Sequence, residues 1–158
     1  MTDHAGHTAE GSVFTEMLIE VFRLNGRLLA AGDNMTADLG LTSARWQVLG
    51  AMEVAGSPLT VAQIARNMGL TRQNVQRLAN VIAADGLAEF VENPHHKRAK
   101  VLRITAHGQK VIDRLTGIQA EWANKIGSTV AAQELENALL VLRALGKQLE
   151  QDDEKRKV

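Results

Sequence analysis

The chain has 158 residues, of which 45% are hydrophobic and 23% charged, an ordinary composition for a globular protein that buries a core. It has no cysteine, which excludes disulfides, thiolate zinc sites and cysteine-based redox switching within this chain. Its formal net charge is zero, no apolar run is long enough to span a bilayer, and the N-terminus lacks the layout of a signal peptide, so we expect a cytoplasmic protein with no membrane partner.

The N-terminal part is predicted to begin with a flexible tail and a long helix. Residues 1–11 are polar and contain glycine, so we expect them to fray. A helix is predicted over about residues 12–31, where apolar side chains recur near helical spacing, and Gly32 is in a position to end it. Thr42 or Ser43 can cap the helix that follows.

Two short helices joined by a tight turn are predicted next. Thr60 and Gln63 have the spacing of a capping box at the start of the first helix. Gly69 supplies the positive φ that a sharp exit from this helix requires, and Thr71 caps a second helix that runs to about Asp85. A helix that crosses the DNA backbone, followed by one that enters the major groove, is how many proteins read sequence. The pattern therefore predicts a helix-turn-helix.

The second helix of this pair has an apolar stripe and an opposite polar face rich in Gln, Asn and Arg. These are the side chains that pair with base edges. An amphipathic helix with a solvated polar face is the alternative for this helix alone, and the glycine and apolar spacing across both helices argues against it. The residues expected to contact DNA from this helix are Thr71, Arg72, Gln73, Asn74, Gln76, Arg77 and Asn80.

A β-hairpin with a basic tip is predicted after these helices. Residues 87–91 and 99–104 are rich in β-branched and aliphatic side chains, as expected for two strands, and residues 92–98 connect them. A solvated charge run is the alternative explanation for the basic residues of the ribbon. Beside a helix-turn-helix, contact with phosphate or the minor groove is the better interpretation. The hairpin residues assigned to DNA are Lys97, Arg98 and Lys100.

The charges are distributed unevenly along the chain, although they sum to zero. Between residues 71 and 104 the cations are Arg72, Arg77, Lys97, Arg98, Lys100 and Arg103, and the anions are Asp85, Glu89 and Glu92. Between residues 1 and 40 acidic residues outnumber basic ones. A local basic surface is what contact with phosphate requires.

Two long apolar helices are predicted over about residues 106–150. The last carries leucines at positions 135, 139, 142, 145 and 149, which is typical of a helix that packs against other helices. Together with the N-terminal helix, these have more apolar face than a small winged domain can cover. We expect a second copy to cover it; packing within one subunit is the alternative. Residues 151–158 carry charges of both signs and are expected to be flexible.

The chain resembles the MarR family of winged-helix transcription regulators from about residue 12 to residue 150. The family's wing pattern, Asp-x-Arg followed by Leu-Thr and then Gly, is similar to His96-Lys97-Arg98 through Ile104-Thr105 to Gly108 here. Arg98 stands where the family places its wing-tip arginine. His96 departs from the usual aspartate, so a carboxylate that would orient Arg98 is missing. Residues 41–49 resemble the family's second helix.

The resemblance implies a mainly α fold with a small β-hairpin wing, in which long N- and C-terminal helices form a dimer. Within a single domain spanning 12–150, we expect a DNA-binding lobe over about 41–105 and dimerisation helices over about 12–31 and 106–150. The implied partners are double-stranded DNA, a second copy of the chain, and a small anionic or phenolic effector bound between the dimer helices and the DNA-binding lobe. Candidate effector contacts are Arg45, Trp46, Met17 and Trp122; Trp46 has the spacing of a core residue as well.

The sequence contains no catalytic or metal-binding pattern that we recognise. Adjacent His95 and His96 make a poor metal pair, and Val111 stands four residues after His107, where a second ligand would be expected on a helix. We therefore predict no enzyme activity, no metal and no cofactor. The predicted function is a ligand-responsive dimeric transcription regulator, most often a repressor in this family, on a palindromic operator. The alternative is a winged-helix protein-interaction module without sequence-specific DNA binding.

Overall fold

The computed structural model of the chain describes residues 6–94 and 99–156. It is mainly helical with a small antiparallel sheet, which confirms the predicted fold class. The chain divides into two compact units, and the boundary along the sequence falls between Leu115 and Thr116, inside a helix. In chain order, the elements are α1 (Ala9–Thr36), a 3₁₀ turn (Ala37–Leu39), α2 (Ser43–Ala55), β1 (Leu59–Thr60), α3 (Val61–Met68), α4 (Arg72–Ala84), β2 (Ala88–Val91), β3 (Val101–Ile104), α5 (Ala106–Gly127) and α6 (Ala132–Lys155).

Helix α1 is longer than predicted at both ends. It begins at Ala9, because the Thr8 hydroxyl accepts a hydrogen bond from the Gly11 N–H at 3.1 Å and caps the helix. It then runs through Gly32 to Thr36, so the expectation that Gly32 ends the helix is wrong. A β-carbon on Gly32 would lie 2.6 Å from the Ser43 Oγ atom. The glycine at position 32 therefore allows α1 and α2 to approach closely.

The local chemistry of the two short helices is as predicted. The Thr60 hydroxyl accepts from the Gln63 N–H at 3.2 Å, and the Gln63 side-chain oxygen accepts from the Thr60 N–H at 2.8 Å, which completes the capping box of α3. Gly69 follows α3 with a φ of 63°. The Thr71 hydroxyl accepts from the Asn74 N–H at 3.2 Å and caps α4.

The predicted hairpin is joined by a third strand that the sequence does not predict. The strands are ordered β1-β3-β2, and all pairs are antiparallel. Leu102 in the central strand is opposite Leu59 on one side and Phe90 on the other. Because β1 immediately precedes α3, it ties the hairpin to the helix-turn-helix. The strands begin later than predicted, at Ala88 and Val101, and the tip residues 95–98 lie outside the described residues.

The core of the first unit lies among α2, α3, α4 and the sheet. The apolar stripe of α4 is buried in this core, as its spacing predicts. Burial of one side of α4 fixes its opposite side toward solvent. The largest fully buried apolar side chains are Val48, Leu49, Ile64, Val75, Ile82, Leu102 and Leu115.

Helices α1 and α6 both expose apolar side chains. In α1, the buried residues are Ser12, Gly32 and Thr36, none of them a large apolar residue. In α6, which belongs to the second unit, most of the predicted leucine seam is exposed, and the helix extends to Lys155. The tail expected to be flexible from residue 151 is therefore helical over most of its length. Exposed apolar residues of α1 and α6 include Phe14, Leu18, Phe22, Leu24, Leu28, Leu135, Leu139, Leu140, Leu142 and Leu149.

Within residues 6–94 and 99–156, no helix combines the length and the apolar character needed to cross a membrane.

Candidate nucleic-acid interface

The polar face of α4 is the centre of the candidate interface. Its exposed position follows from the burial of the opposite stripe, which includes Val75 and Ile82. Asn74 is half-buried, whereas the other residues that the sequence assigns to DNA on this helix are exposed. Those exposed residues are Thr71, Arg72, Gln73, Gln76, Arg77 and Asn80.

Two hydrogen bonds link side chains along this face. The Gln76 Nε2 atom donates to the Asn80 Oδ1 atom at 2.9 Å, and the Arg77 Nη2 atom donates to the Asn74 Oδ1 atom at 3.3 Å. Each bond restrains a long side chain on the helix surface. Gln76 keeps its amide oxygen and a second N–H for another partner, which is the acceptor and donor pair that complements the major-groove edge of adenine.

A groove of about 710 Å³ separates α4 from the hairpin. It brings together five of the residues that the sequence assigns to DNA, four from α4 and Lys100 from the hairpin. Thr71, Asn74 and Arg77 do not line it. The first turn of α3 contributes to its wall, and the aromatic side chain of Phe90 lines it from β2. The lining residues are Thr60, Val61, Ala62, Arg72, Gln73, Gln76, Asn80, Phe90, Ala99 and Lys100.

Sequence reasoning did not assign Thr60, Val61, Ala62 or Phe90 to this surface. The alternation of side chains along a short strand predicts which residues share a face of the sheet, but it does not predict which face lies toward α4. The pairing of β1 with β3 brings the start of α3 to the groove, and a strand of two residues has too short a pattern to be detected.

The hairpin carries less free positive charge than its sequence suggests. Arg103 is opposite Glu89 in the β2–β3 register, and its guanidinium donates to the Glu89 Oε1 atom at 2.8 and 3.2 Å. Both side chains are about half exposed, so the pair contributes little to stability. Lys100 is exposed at the groove, whereas Lys97 and Arg98 lie outside the described residues.

The candidate effector residues are placed in different parts of the chain. Arg45 and Trp46 are adjacent on α2, Met17 lies on α1, and Trp122 belongs to the second unit. Trp46 packs half-buried against the core, and Arg45 is bonded to Asp85. The groove at α4 and two further cavities of about 310 and 440 Å³ in the first unit are all lined by other residues. The effector site therefore remains a prediction.

Within the part of the chain that the structure describes, no three His, Cys, Asp or Glu side chains are grouped so that they could hold a metal ion.

Most of the candidate interface lies in a segment of the chain that matches a known protein family. A model of the MarR family matches residues 39–99, which include α2, α3, α4 and β2. The uncharacterized protein Rv2011c of Mycobacterium tuberculosis is 42% identical over 100 residues, which are 63% of this chain and 68% of that protein.

Solved structures share the fold over most of the chain. The MepR–DNA complex of S. aureus has a TM-score of 0.72 at 20% identity, covering 82% of this chain and 96% of that one. CouR from Rhodococcus jostii RHA1, bound to p-coumaroyl-CoA, has a TM-score of 0.74 at 17% identity, covering 82% and 90%. At these identities the likeness shows the fold alone.

Proposed function

Since the chain belongs to the MarR family of winged-helix transcription regulators, we propose that it is a dimeric, ligand-responsive repressor that binds a palindromic operator. The observation that carries this proposal is the polar face of α4. Its Gln, Arg and Asn side chains are exposed beside a groove whose other wall carries Lys100. These side chains match the base edges of the major groove.

In the proposed complex, α4 lies in the major groove. Gln73, Gln76 and Arg77 point away from the core and contact base edges, and Gln76 is restrained by its bond to Asn80. The Gln63 N–H of α3 is capped by the Thr60 hydroxyl, whereas the other backbone N–H groups of its first turn have no partner within the helix and suit a phosphate oxygen. Lys100 and the hairpin tip contact phosphate or the minor groove beside the helix.

Dimerisation is proposed from the apolar side chains that α1 and α6 leave exposed. A single exposed apolar side chain is ordinary, but each of these helices exposes several along its length, which favours an interaction surface on each. A second copy of the chain offers the same apolar helices and would cover them across a two-fold axis. Such an axis places two recognition helices about one DNA turn apart, ~34 Å, which matches a palindromic site.

Response to an effector is proposed from the family and from the ligand named for CouR. A small anionic or phenolic molecule would contact Arg45, Trp46, Met17 and Trp122. Because Arg45 is already paired with Asp85, an anionic effector would compete with that carboxylate. We place the protein in the cytoplasm, where it would meet a chromosomal operator.

The test is selection from a library of random double-stranded DNA by the purified protein. The expected result is an enriched two-fold symmetric sequence whose half-site centres are about 10 base pairs apart. A matched selection with the folded Gln76→Ala/Arg77→Ala variant should enrich a weaker or different sequence. Recovery of no common sequence by the unaltered protein would favour the protein-interaction module over the proposed regulator.

A further inference from the structure

The side chain of Arg45 joins three segments of the first unit. Arg45 lies in the first turn of α2, and its side chain is only 17% exposed. Its Nη1 atom donates to the Asp85 Oδ2 atom at 2.5 Å, and its Nη2 atom donates to the Gly40 carbonyl oxygen at 2.6 Å. Asp85 is the residue that ends α4, and Gly40 lies in the turn after α1. One guanidinium therefore connects the end of α1, the start of α2 and the end of α4.

Neither charge of this pair suits the helix that carries it. Arg45 is in the first turn of α2, where the helix dipole disfavours a cation, and Asp85 is at the C-terminal end of α4, where it disfavours an anion. The last turn of α4 has no basic residue to offset Asp85. Local helix chemistry thus explains neither residue, whereas their contact, between residues 40 positions apart in the sequence, explains both.

The end of α1 is firmly joined to the segment that Arg45 contacts. The fully buried Thr36 hydroxyl lies 3.0 Å from the Leu41 carbonyl oxygen, and the Leu41 N–H donates to the Thr36 carbonyl at 3.2 Å. The Asp33 carboxylate accepts from the Ser43 N–H at 2.6 Å. These bonds leave little freedom between α1 and the first turn of α2, so Arg45 moves with α1.

We propose that Arg45 is a positioning residue for DNA binding, which holds the recognition helix α4 at a fixed orientation to α1 through Asp85. The inference rests on the proposed function, in which α1 helps to hold the partner subunit and α4 reads DNA. In a two-fold dimer, the orientation of α4 relative to α1 sets the separation of the two recognition helices. Without the Arg45–Asp85 pair, the two recognition helices sample a wider range of separations. Only the fraction of molecules whose separation matches the half-sites then binds well.

A merely structural role would lower stability without changing which DNA spacing is preferred. The experiment therefore measures the affinity of each variant for the selected operator and for duplexes in which the half-sites are moved by one or two base pairs. Arg45→Gln and Asp85→Asn each remove one charge. The exchange Arg45→Asp with Asp85→Arg restores the pair and places both charges at favourable helix ends. Glu20→Gln, which breaks the exposed Arg23–Glu20 pair on α1, is the control.

The expected result is a loss of affinity of about tenfold on the best spacing for each single variant, and a smaller loss on the altered spacings. The exchange should recover most of the spacing preference, and the control should match the unaltered protein. Single variants that keep both affinity and spacing preference would overturn the inference, as would an equal loss on every spacing. If Arg45→Gln fails to fold, Asp85→Asn and the exchange decide the matter. Failure of the unaltered protein to select any DNA would instead overturn the proposed function, and this inference with it.

Discussion

Gly108, in the first turn of α5, lies directly against the backbone of Leu87, and a β-carbon at position 108 would overlap the Leu87 carbonyl oxygen. That carbonyl also accepts from the Thr105 N–H at 3.0 Å. The Thr105 hydroxyl donates to the Gly86 carbonyl at 2.7 Å and accepts from the Gly108 N–H at 3.0 Å. The end of the hairpin and the start of α5 are thereby fixed to the turn that follows α4.

Gly108→Ala should destabilise the protein by about 1–3 kcal/mol or more, because the atom in the way is backbone and cannot rotate aside. Chemical denaturation monitored by circular dichroism measures the free energy of unfolding. Gly50→Ala, in α2 with open space around its α-carbon, is the control and should be neutral or stabilising by about 0.5–1 kcal/mol. Equal stability of the Gly108→Ala variant and the unaltered protein would contradict the close contact.

Leu142→Lys should prevent dimer formation. Leu142 is exposed on α6, and burying an unpaired ammonium against a partner would cost several kcal/mol. Sedimentation velocity should show monomers or aggregated protein. Asn137→Lys adds the same charge on the opposite side of the helix and should leave the dimer intact. A well-folded dimer of Leu142→Lys would remove this helix face from the proposed interface.

Four single variants test base recognition by α4, with alanine in place of Arg72, Gln73, Gln76 or Arg77. At least one of these variants should lose its preference for a particular base at one or two positions of each half-site. A bidentate contact to a base is worth about 1–3 kcal/mol of discrimination. Affinities for a set of operators with single base changes give this preference directly. If all four variants lose the same affinity on every sequence, α4 contacts phosphate only.

Lys100→Ala should reduce the salt dependence of DNA binding. Each phosphate contact contributes about 0.9 to the slope of log affinity against log salt, so a dimer should lose about that amount per subunit. Fluorescence anisotropy over a salt series measures the slope. Lys147→Ala on α6 makes the same change of charge and should leave the slope as it is. An unchanged slope for Lys100→Ala would exclude this residue from contact with phosphate.

Local chemistry accounts for the parts of the structure that the sequence predicts well. The Thr60–Gln63 capping box, the turn at Gly69 and the cap at Thr71 involve residues at most five positions apart, so their patterns are readable along the chain. The polar face of α4 follows from the helical period in the same way.

Tertiary contacts account for what the sequence does not predict. A glycine within a helical pattern suggests a helix end, but Gly32 is needed for the approach of Ser43 from another helix. Phe90 lines the groove because of how the sheet packs, and Arg45 finds its partner at the end of α4. The predicted contact of Arg98 with DNA stays a prediction, since Arg98, like His96, lies outside the described residues.

The most direct test of sequence-specific DNA binding is the affinity of the unaltered protein for the selected operator and for a scrambled duplex of equal length, at about 50 mM and about 200 mM salt. We expect sequence-specific binding, with the operator bound at least about 10³-fold tighter than the scrambled duplex and both affinities falling as salt rises. Equal affinity for the two duplexes at both salt concentrations would contradict it.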